Sequence, residues 1–155
     1  MIRPPISQYA KLPQLFSQRD IQDASTEATI CTDRCKVISV DNNPDILQCI
    51  DSFLDRDYFQ TFPVQDAYDV LDKIITVQPH LILMDIEMPN IDGNSLCRIV
   101  RSNQIFKNTP IIMVASNASL IDRAKAKISG ATDYMTKPFT RDSLNQVIFR
   151  HLIHQ

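Results

Sequence analysis

A short apolar run that ends on a single carboxylate constrains the fold of this chain most strongly. The run covers residues 81–84, and Asp85 follows it directly, before a turn that contains Pro89 and Gly93. Four apolar residues bounded by turn residues are typical of a strand that is buried on both faces. In an open α/β sheet, ligands bind at the carboxyl ends of the strands. The pattern therefore predicts that a rigid strand presents Asp85 at a site, either as a nucleophile or as a metal ligand.

Strand-like runs and helical patterns alternate along the chain from residue 36 onward. Asn43 and Pro44 predict the start of the first helix, with asparagine as the N-cap and proline at the first helical position. Thr140 is predicted to cap the last helix. The five strand-like runs are residues 37–40, 58–64, 81–84, 111–114 and 132–135. Strands that alternate with helices predict a doubly wound α/β fold, a parallel sheet covered by helices on both faces.

The two glycines mark the ends of predicted elements. The chain contains no others, so each is expected where the backbone adopts a conformation that other residues disfavour. Gly93 is predicted to close the turn after Asp85. Gly130 is predicted to end a fourth helix, which the spacing of Ile121 and Ile128 indicates.

Length and charge exclude several classes of protein. The 155 residues have a net charge of −2, which favours one domain and gives no electrostatic case for binding nucleic acid. No apolar run approaches the roughly 18 residues that a membrane-spanning helix needs, and the first residues lack the apolar core of a secretory signal. We therefore expect a cytoplasmic protein without a membrane partner. Cys31 and Cys35 suggest a redox or metal clip, but no further ligand is placed to complete one.

Residues 1–35 differ in composition from the rest of the chain. They are rich in proline, serine, threonine and glutamine, and their small apolar cluster consists of Leu12, Leu15 and Phe16. This composition predicts a poorly ordered extension. Two interpretations stay open: a solvated leader, or a docking segment whose apolar cluster binds a partner.

Three charged residues follow strands of the predicted sheet. Asp41 follows the first strand, Asp85 the third and Lys137 the fifth. The first and third strands of a doubly wound sheet of this size are neighbours at the switch point, so their terminal carboxylates meet. Two carboxylates and an ammonium group form a pocket suited to Mg²⁺ and a phosphoryl group. Ordinary solvated charge at strand ends explains any one of these residues but not all three together.

Several motifs around these residues occur together in one protein family. Residues 85–93, with the sequence DIEMPNIDG, match a phosphorylation-site motif, and Asp41 ends an acidic first strand. Residues 136–139, with the sequence TKPF, match a lysine–proline motif, and Tyr134 stands at the position of a switch aromatic. On these motifs, residues 36–155 resemble the receiver domain of two-component response regulators. Within that family, residues 121–139 are similar to the receivers of cyanobacterial motility regulators.

The resemblance implies a flavodoxin-like (βα)5 fold with strand order 2-1-3-4-5 and a role in phosphorelay signalling. It implies that Asp85 accepts a phosphoryl group from a histidine kinase or a phosphotransfer protein. Asp41, Asp85 and the backbone carbonyl of Glu87 would hold Mg²⁺, while Lys137 would contact the phosphoryl group. The bond between Lys137 and Pro138 would be cis. Because no output domain follows in this sequence, a downstream protein would read the signal through the fourth helix, fifth strand and fifth helix.

Two positions depart from the family's pattern. The second acid after the first strand is replaced by Asn42, which removes a negative charge from the metal site and predicts weaker Mg²⁺ binding. The hydroxyl residue at the end of the fourth strand is replaced by Ala115, so the link between phosphorylation and the Tyr134 switch is expected to be missing. Ser116 replaces that hydroxyl only if the loop slips by one residue, because neighbouring side chains on a strand point to opposite faces.

Three functions therefore compete. The first is an atypical stand-alone receiver that accepts a phosphoryl group on Asp85 and acts through protein–protein contacts. The second is a pseudo-receiver, an interaction module that works without phosphorylation. The third is a metal-dependent hydrolase with an aspartyl nucleophile, which the absence of a cap region for substrate disfavours. We favour the first, a protein with no enzymatic activity beyond its own phosphotransfer.

Overall fold

Strands and helices alternate through residues 34–153, the part of the chain that the computed structural model describes. The strands are β1 (Cys35–Val40), β2 (Phe59–Val64), β3 (Leu81–Asp85), β4 (Ile111–Ala115) and β5 (Asp133–Thr136). The helices are α1 (Pro44–Phe53), α2 (Val70–Val77), α3 (Gly93–Ser102), α4 (Leu120–Ile128) and α5 (Arg141–Ile153). Short 3-10 helices at Ala67–Asp69 and Gln104–Phe106 lie before α2 and after α3. Residues 1–33 of the predicted extension lie outside the described residues.

The five strands form one parallel sheet in the order β2-β1-β3-β4-β5. This confirms the predicted fold class and strand order. β1 and β3 are therefore hydrogen-bonded neighbours, and β4 lies on the other side of β3. The crevice at the switch point between β1 and β3 is where such a sheet places a ligand.

Apolar side chains pack on both faces of this sheet, as its helical cover requires. One core cluster joins the sheet to α1 and α5, and the other joins it to α2, α3 and α4. Every residue of β3 is buried, so the strand that ends on Asp85 is held from both faces. Among residues 34–153, no helix is long and apolar enough to cross a membrane.

The helix starts follow the predicted capping, with small shifts elsewhere. Asn43 caps α1 by accepting a hydrogen bond from the Asp45 backbone N–H at 2.9 Å, and proline occupies the first turn. At α5, the Thr140 hydroxyl accepts from the Ser143 backbone N–H at 3.1 Å. The third helix begins at Gly93, because Asp92 supplies its N-cap by accepting a hydrogen bond from the Ser95 backbone N–H at 3.1 Å.

The two glycines serve different physical needs. Gly130 has a φ of 99°, so the prediction of an unusual backbone conformation is confirmed there. The same prediction was wrong for Gly93, whose φ is not in the positive range. A Cβ atom at Gly93 would instead overlap the Asp85 carbonyl oxygen. Glycine is required there because the start of α3 packs directly against the end of β3.

Three of the four cysteines lie among the described residues. Cys49 and Cys97 are free thiols, and Cys35 and Cys97 are buried. Cys31 lies outside the described residues, so the clip that pairs it with Cys35 stays a hypothesis.

Candidate functional site at the carboxyl end of the sheet

Two carboxylates lie side by side where β1 and β3 end. Val40 and Met84 are partners in the parallel register of these strands, so Asp41 and Asp85 occupy equivalent places one residue further along. Each is only 2% exposed. Burial of two carboxylates together is unfavourable unless a cation compensates them.

Lys137 supplies that compensation from the end of β5. Its ammonium group donates to Asp41 Oδ2 at 2.6 Å and to Asp85 Oδ1 at 3.1 Å. The Lys137 backbone N–H donates to the Ala115 carbonyl at 2.8 Å, which holds this segment beside β4. The peptide bond to Pro138 is cis, as the resemblance implied. The three charged residues predicted to converge therefore form one hydrogen-bonded cluster.

Electrostatics at this cluster favour a bound cation. Burial, reinforced by the neighbouring charge of Asp41, raises the pKa of Asp85, although Lys137 and the Glu87 backbone N–H oppose the shift. Burial alone would lower the pKa of Lys137, but its hydrogen bonds to Asp41 and Asp85 outweigh that effect and raise it. The lysine is therefore firmly charged, while the Asp85 carboxylate is more basic than an exposed aspartate. A more basic carboxylate oxygen is also a better nucleophile.

The start of α1 orients Asp41. Its Oδ1 atom accepts from the Asn43 backbone N–H at 2.8 Å, while its Oδ2 atom accepts from Lys137. Asn42 lies between these residues and is exposed, and its carbonyl accepts from the Gln65 side chain at 3.3 Å. The contact between Asn43 and Asp41 was not predicted, since the sequence marks Asn43 only as a helix cap.

The donor set suits a small hard cation with an incomplete protein shell. Among residues 34–153, no group of three His, Cys, Asp or Glu side chains is arranged to hold a metal ion. Asp41 and Asp85 nevertheless present two charged oxygen ligands on one cluster. Mg²⁺ is commonly bound by one or two carboxylates and keeps several waters. The residues present therefore fit Mg²⁺. They offer two charged ligands, whereas an acid in place of Asn42 would offer a third.

The end of β4 offers no hydroxyl group to this site. In the β3–β4 register Asp85 pairs with Val114, and Ala115 follows as the last residue of β4, buried and 2% exposed. Ser116 is exposed, and Ala115 keeps its ladder partner Thr136 on β5. The strand has therefore not slipped in the way that would bring Ser116 to the position of Ala115.

Tyr134 holds the loop after β4 by a contact that does not involve Ala115. Its hydroxyl donates to the Asn117 carbonyl at 2.6 Å, and the Arg123 guanidinium lies 4.9 Å from the centre of its ring. Burial raises the pKa of the Tyr134 hydroxyl, together with Asp122 and against Arg123. Tyr134 of β5 thus contacts both the loop after β4 and Arg123 of α4. Sequence reasoning found Tyr134 but missed Asn117, because a backbone carbonyl leaves no signal in residue type.

Known proteins resemble this chain along most of its length. The model of the response regulator receiver domain matches residues 37–149. Protein PilG of Pseudomonas aeruginosa is 35% identical over 121 residues, which cover 78% of this chain and 90% of PilG. The heme response regulator HssR of Staphylococcus saprophyticus is 30% identical over 111 residues, which cover 72% of this chain and 47% of HssR. The solved structure of the chemotaxis response regulator CheY4 of Vibrio cholerae is similar with a TM-score of 0.73 and 27% identity, covering 77% of this chain and 99% of CheY4.

The raised pKa of Asp85 predicts that Asp85→Asn stabilises the protein at neutral pH. The pKa lies above its ordinary value of 3.8, so ionisation of Asp85 destabilises the folded state as the pH rises through the folded-state pKa. Removing the charge should raise the free energy of unfolding on the order of 1 kcal/mol, because the relieved repulsion is partly offset by weaker attraction to Lys137. Below a pH of about 3, roughly one unit under the unfolded-state pKa, Asp85 is protonated in both states and this charge-dependent gain should disappear.

Urea denaturation of both proteins across this pH range measures the effect. The Asp57→Asn change, at an exposed residue outside the helices and strands, is the matched control and should leave the free energy of unfolding nearly unaltered. A loss of stability in Asp85→Asn at neutral pH would contradict this account of the cluster.

Proposed function

Because the chain belongs to the response regulator receiver domain family, we propose that Asp85 accepts a phosphoryl group and that protein contacts pass the signal on. Receivers of this family work in two-component signalling, with a histidine kinase or a phosphotransfer protein as the donor. The observation that carries the proposal is the Lys137 ammonium group bound to two buried carboxylates at neighbouring strand ends. Residues 36–155 would form the receiver and residues 1–35 an extension.

The chemistry proposed for Asp85 is an in-line displacement at phosphorus. A carboxylate oxygen of Asp85 attacks the phosphorus of a phosphohistidine on the donor protein. The new oxygen–phosphorus bond forms as the phosphorus–nitrogen bond breaks. The electron pair of the broken bond stays on the imidazole nitrogen, which is the leaving group. Lys137 already lies 3.1 Å from Asp85, so its charge can neutralise the equatorial phosphoryl oxygens without a large movement.

Asp41 and Asp85, with the backbone carbonyl of Glu87, would hold Mg²⁺ in this reaction. When bound, the ion would supply positive charge to the phosphoryl oxygens. Asp41 is oriented for this role by the Asn43 backbone N–H. Asn42 contributes no charge, so the affinity is expected to be low.

The surface that would contact a downstream protein includes one side of α4. Large apolar side chains are unusually exposed there, with Leu120 at 85% and Ile128 at 80%. Arg123, Lys125 and Lys127 surround them, and all three are exposed. A partner that presents apolar side chains among acidic ones would complement this surface.

A second candidate function is favoured by the state of Tyr134. Its hydroxyl donates to the Asn117 carbonyl at 2.6 Å, a contact that includes no atom of Ala115 or Asp85. Ala115 provides no hydroxyl that a phosphoryl group on Asp85 could attract. A pseudo-receiver that presents the same α4 surface with or without phosphorylation is consistent with both facts.

Incubation with acetyl phosphate and Mg²⁺, followed by intact mass measurement, should show an adduct of one phosphoryl group. The adduct should be absent in Asp85→Asn, since the attacking oxygen is lost, and should persist in Asp142→Asn. Lys137→Met should lower its yield at least tenfold, because the phosphoryl charge is then uncompensated. An unmodified protein at high Mg²⁺ would contradict the acceptor role and support the pseudo-receiver.

Asn42→Asp should raise the affinity for Mg²⁺ roughly tenfold, because it adds a negative charge beside Asp41 and Asp85. Isothermal titration of Mg²⁺ into each protein measures the change. Asn43→Asp is the matched control: it adds the same charge one residue further on but preserves the helix cap. Equal gains in the two variants would show that Asn42 does not face the metal position.

A further inference from the structure

One face of α2 is apolar and has no cover among the described residues. Tyr68, in the short helix that leads into α2, is 72% exposed, and Ile75 is 55% exposed. Leu71 is half-buried between them. The intervals of three and four residues place these side chains on one side of the helix. We call this surface, formed by Tyr68, Leu71 and Ile75, the α2 face.

A groove of about 400 Å³ lies between the end of β2 and α2, and α2 and the short helix before it thus contribute to both the groove and the α2 face. Its lining includes the exposed carboxylates of Asp66, Asp69 and Asp72 and the single ammonium group of Lys73. Pro63 lies in β2, at the edge of the sheet, where it removes a hydrogen-bond donor and disfavours the addition of another strand. Side-chain contacts are therefore the expected mode of binding, by a segment that is apolar and basic.

The first 19 residues of this chain have that composition. Their charged residues are Arg3, Lys11 and Arg19, with no aspartate or glutamate. They also contain Leu12, Leu15 and Phe16. All four acids that precede Arg34 lie in residues 20–33, so the two halves of this region carry opposite charge.

The chain enters the fold close to α2. Lys36, near the start of β1, donates from its ammonium group to the Val77 carbonyl at the end of α2, at 3.5 Å. Residues 20–33 provide fourteen residues of connection, which reach up to about 46 Å when extended. The eight residues of α2 span only about 12 Å. A segment ending at residue 19 can therefore reach any part of the α2 face.

The exposed apolar surface on α4 has the wrong charge for this segment. Arg123, Lys125 and Lys127 are exposed around it. Like charges would repel residues 1–19 there, whereas Asp69 and Asp72 would attract them at α2. Charge thus distinguishes the two surfaces although both are apolar.

We propose that residues 1–19 bind within the same molecule to the α2 face and its groove. Leu12, Leu15 and Phe16 would cover Tyr68 and Ile75, and the basic residues would pair with the groove's carboxylates. This interaction is independent of phosphorylation at Asp85 and leaves the α4 surface free.

Photo-crosslinking in the full-length chain tests this binding. With Phe16 replaced by the photoreactive p-benzoylphenylalanine, irradiation of dilute protein should join residue 16 to residues 68–76 of the same molecule. Asp69→Lys with Asp72→Lys should lower the yield of this product roughly threefold to tenfold, because two exposed charge pairs become repulsive. Lys11→Glu with Arg19→Glu, added to that variant, should restore it.

The matched control has the same charge change elsewhere. Asp57→Lys with Asp142→Lys alters exposed residues outside the groove and should leave the yield unchanged. A product at residues 120–128, a product between two copies of the chain, or an equal loss in the control variant would each overturn the proposal. Absence of any product would do so as well.

Discussion

The contact between the Lys137 ammonium group and the carboxylates of Asp41 and Asp85 is the interaction on which the site depends. The strand order brings the two acids together, because β1 and β3 are neighbours in the sheet. Burial then makes their mutual repulsion costly, and the Lys137 cation offsets it through hydrogen bonds to both carboxylates. β5 delivers that cation across the top of β4, through the hydrogen bond from the Lys137 backbone to Ala115. The strand order therefore determines which charged groups meet, and the Lys137 cation compensates the two carboxylates that it brings together.

A receiver combines two properties: it accepts a phosphoryl group, and it changes a surface in response. In this chain the two properties depend on different residues. In the proposed function, acceptance of a phosphoryl group would depend on Asp85, Asp41 and Lys137, and the Lys137 ammonium group contacts both carboxylates. The ability to report its presence depends on a connection from the site to the loop after β4. Ala115 has no hydroxyl that could provide this connection at the site, whereas Tyr134 and Asn117 are hydrogen-bonded to each other directly. We therefore expect the loop after β4 to keep the same position with and without a phosphoryl group on Asp85.

Much of the fold and the charged cluster could be predicted from residue types. The apolar run before Asp85, the Asn43–Pro44 helix start and the spacing of strand-like runs each depend on local patterns, which a sequence displays directly. The contacts of Asp41 with the Asn43 N–H and of Tyr134 with the Asn117 carbonyl depend on backbone atoms that every residue carries. Gly93 could not be explained from the sequence for a similar reason. A side chain there is excluded because the start of α3 packs against the Asp85 backbone, and this contact exists only in the fold. The exposure of Ile121 and Ile128 to solvent could not be predicted either, because helical spacing shows which residues share a face but not whether other elements cover that face.

Hydrogen–deuterium exchange with and without beryllium fluoride, a stable mimic of an aspartyl phosphate, tests the central claim most directly. With Mg²⁺ present, residues 86–92 should gain protection as the mimic binds at Asp85, while residues 116–119 should exchange at an unchanged rate. Ala115→Thr supplies the missing hydroxyl and should make residues 116–119 respond as well. A change in protection at residues 116–119 in the native chain would contradict the separation of phosphoryl acceptance from the Tyr134 loop.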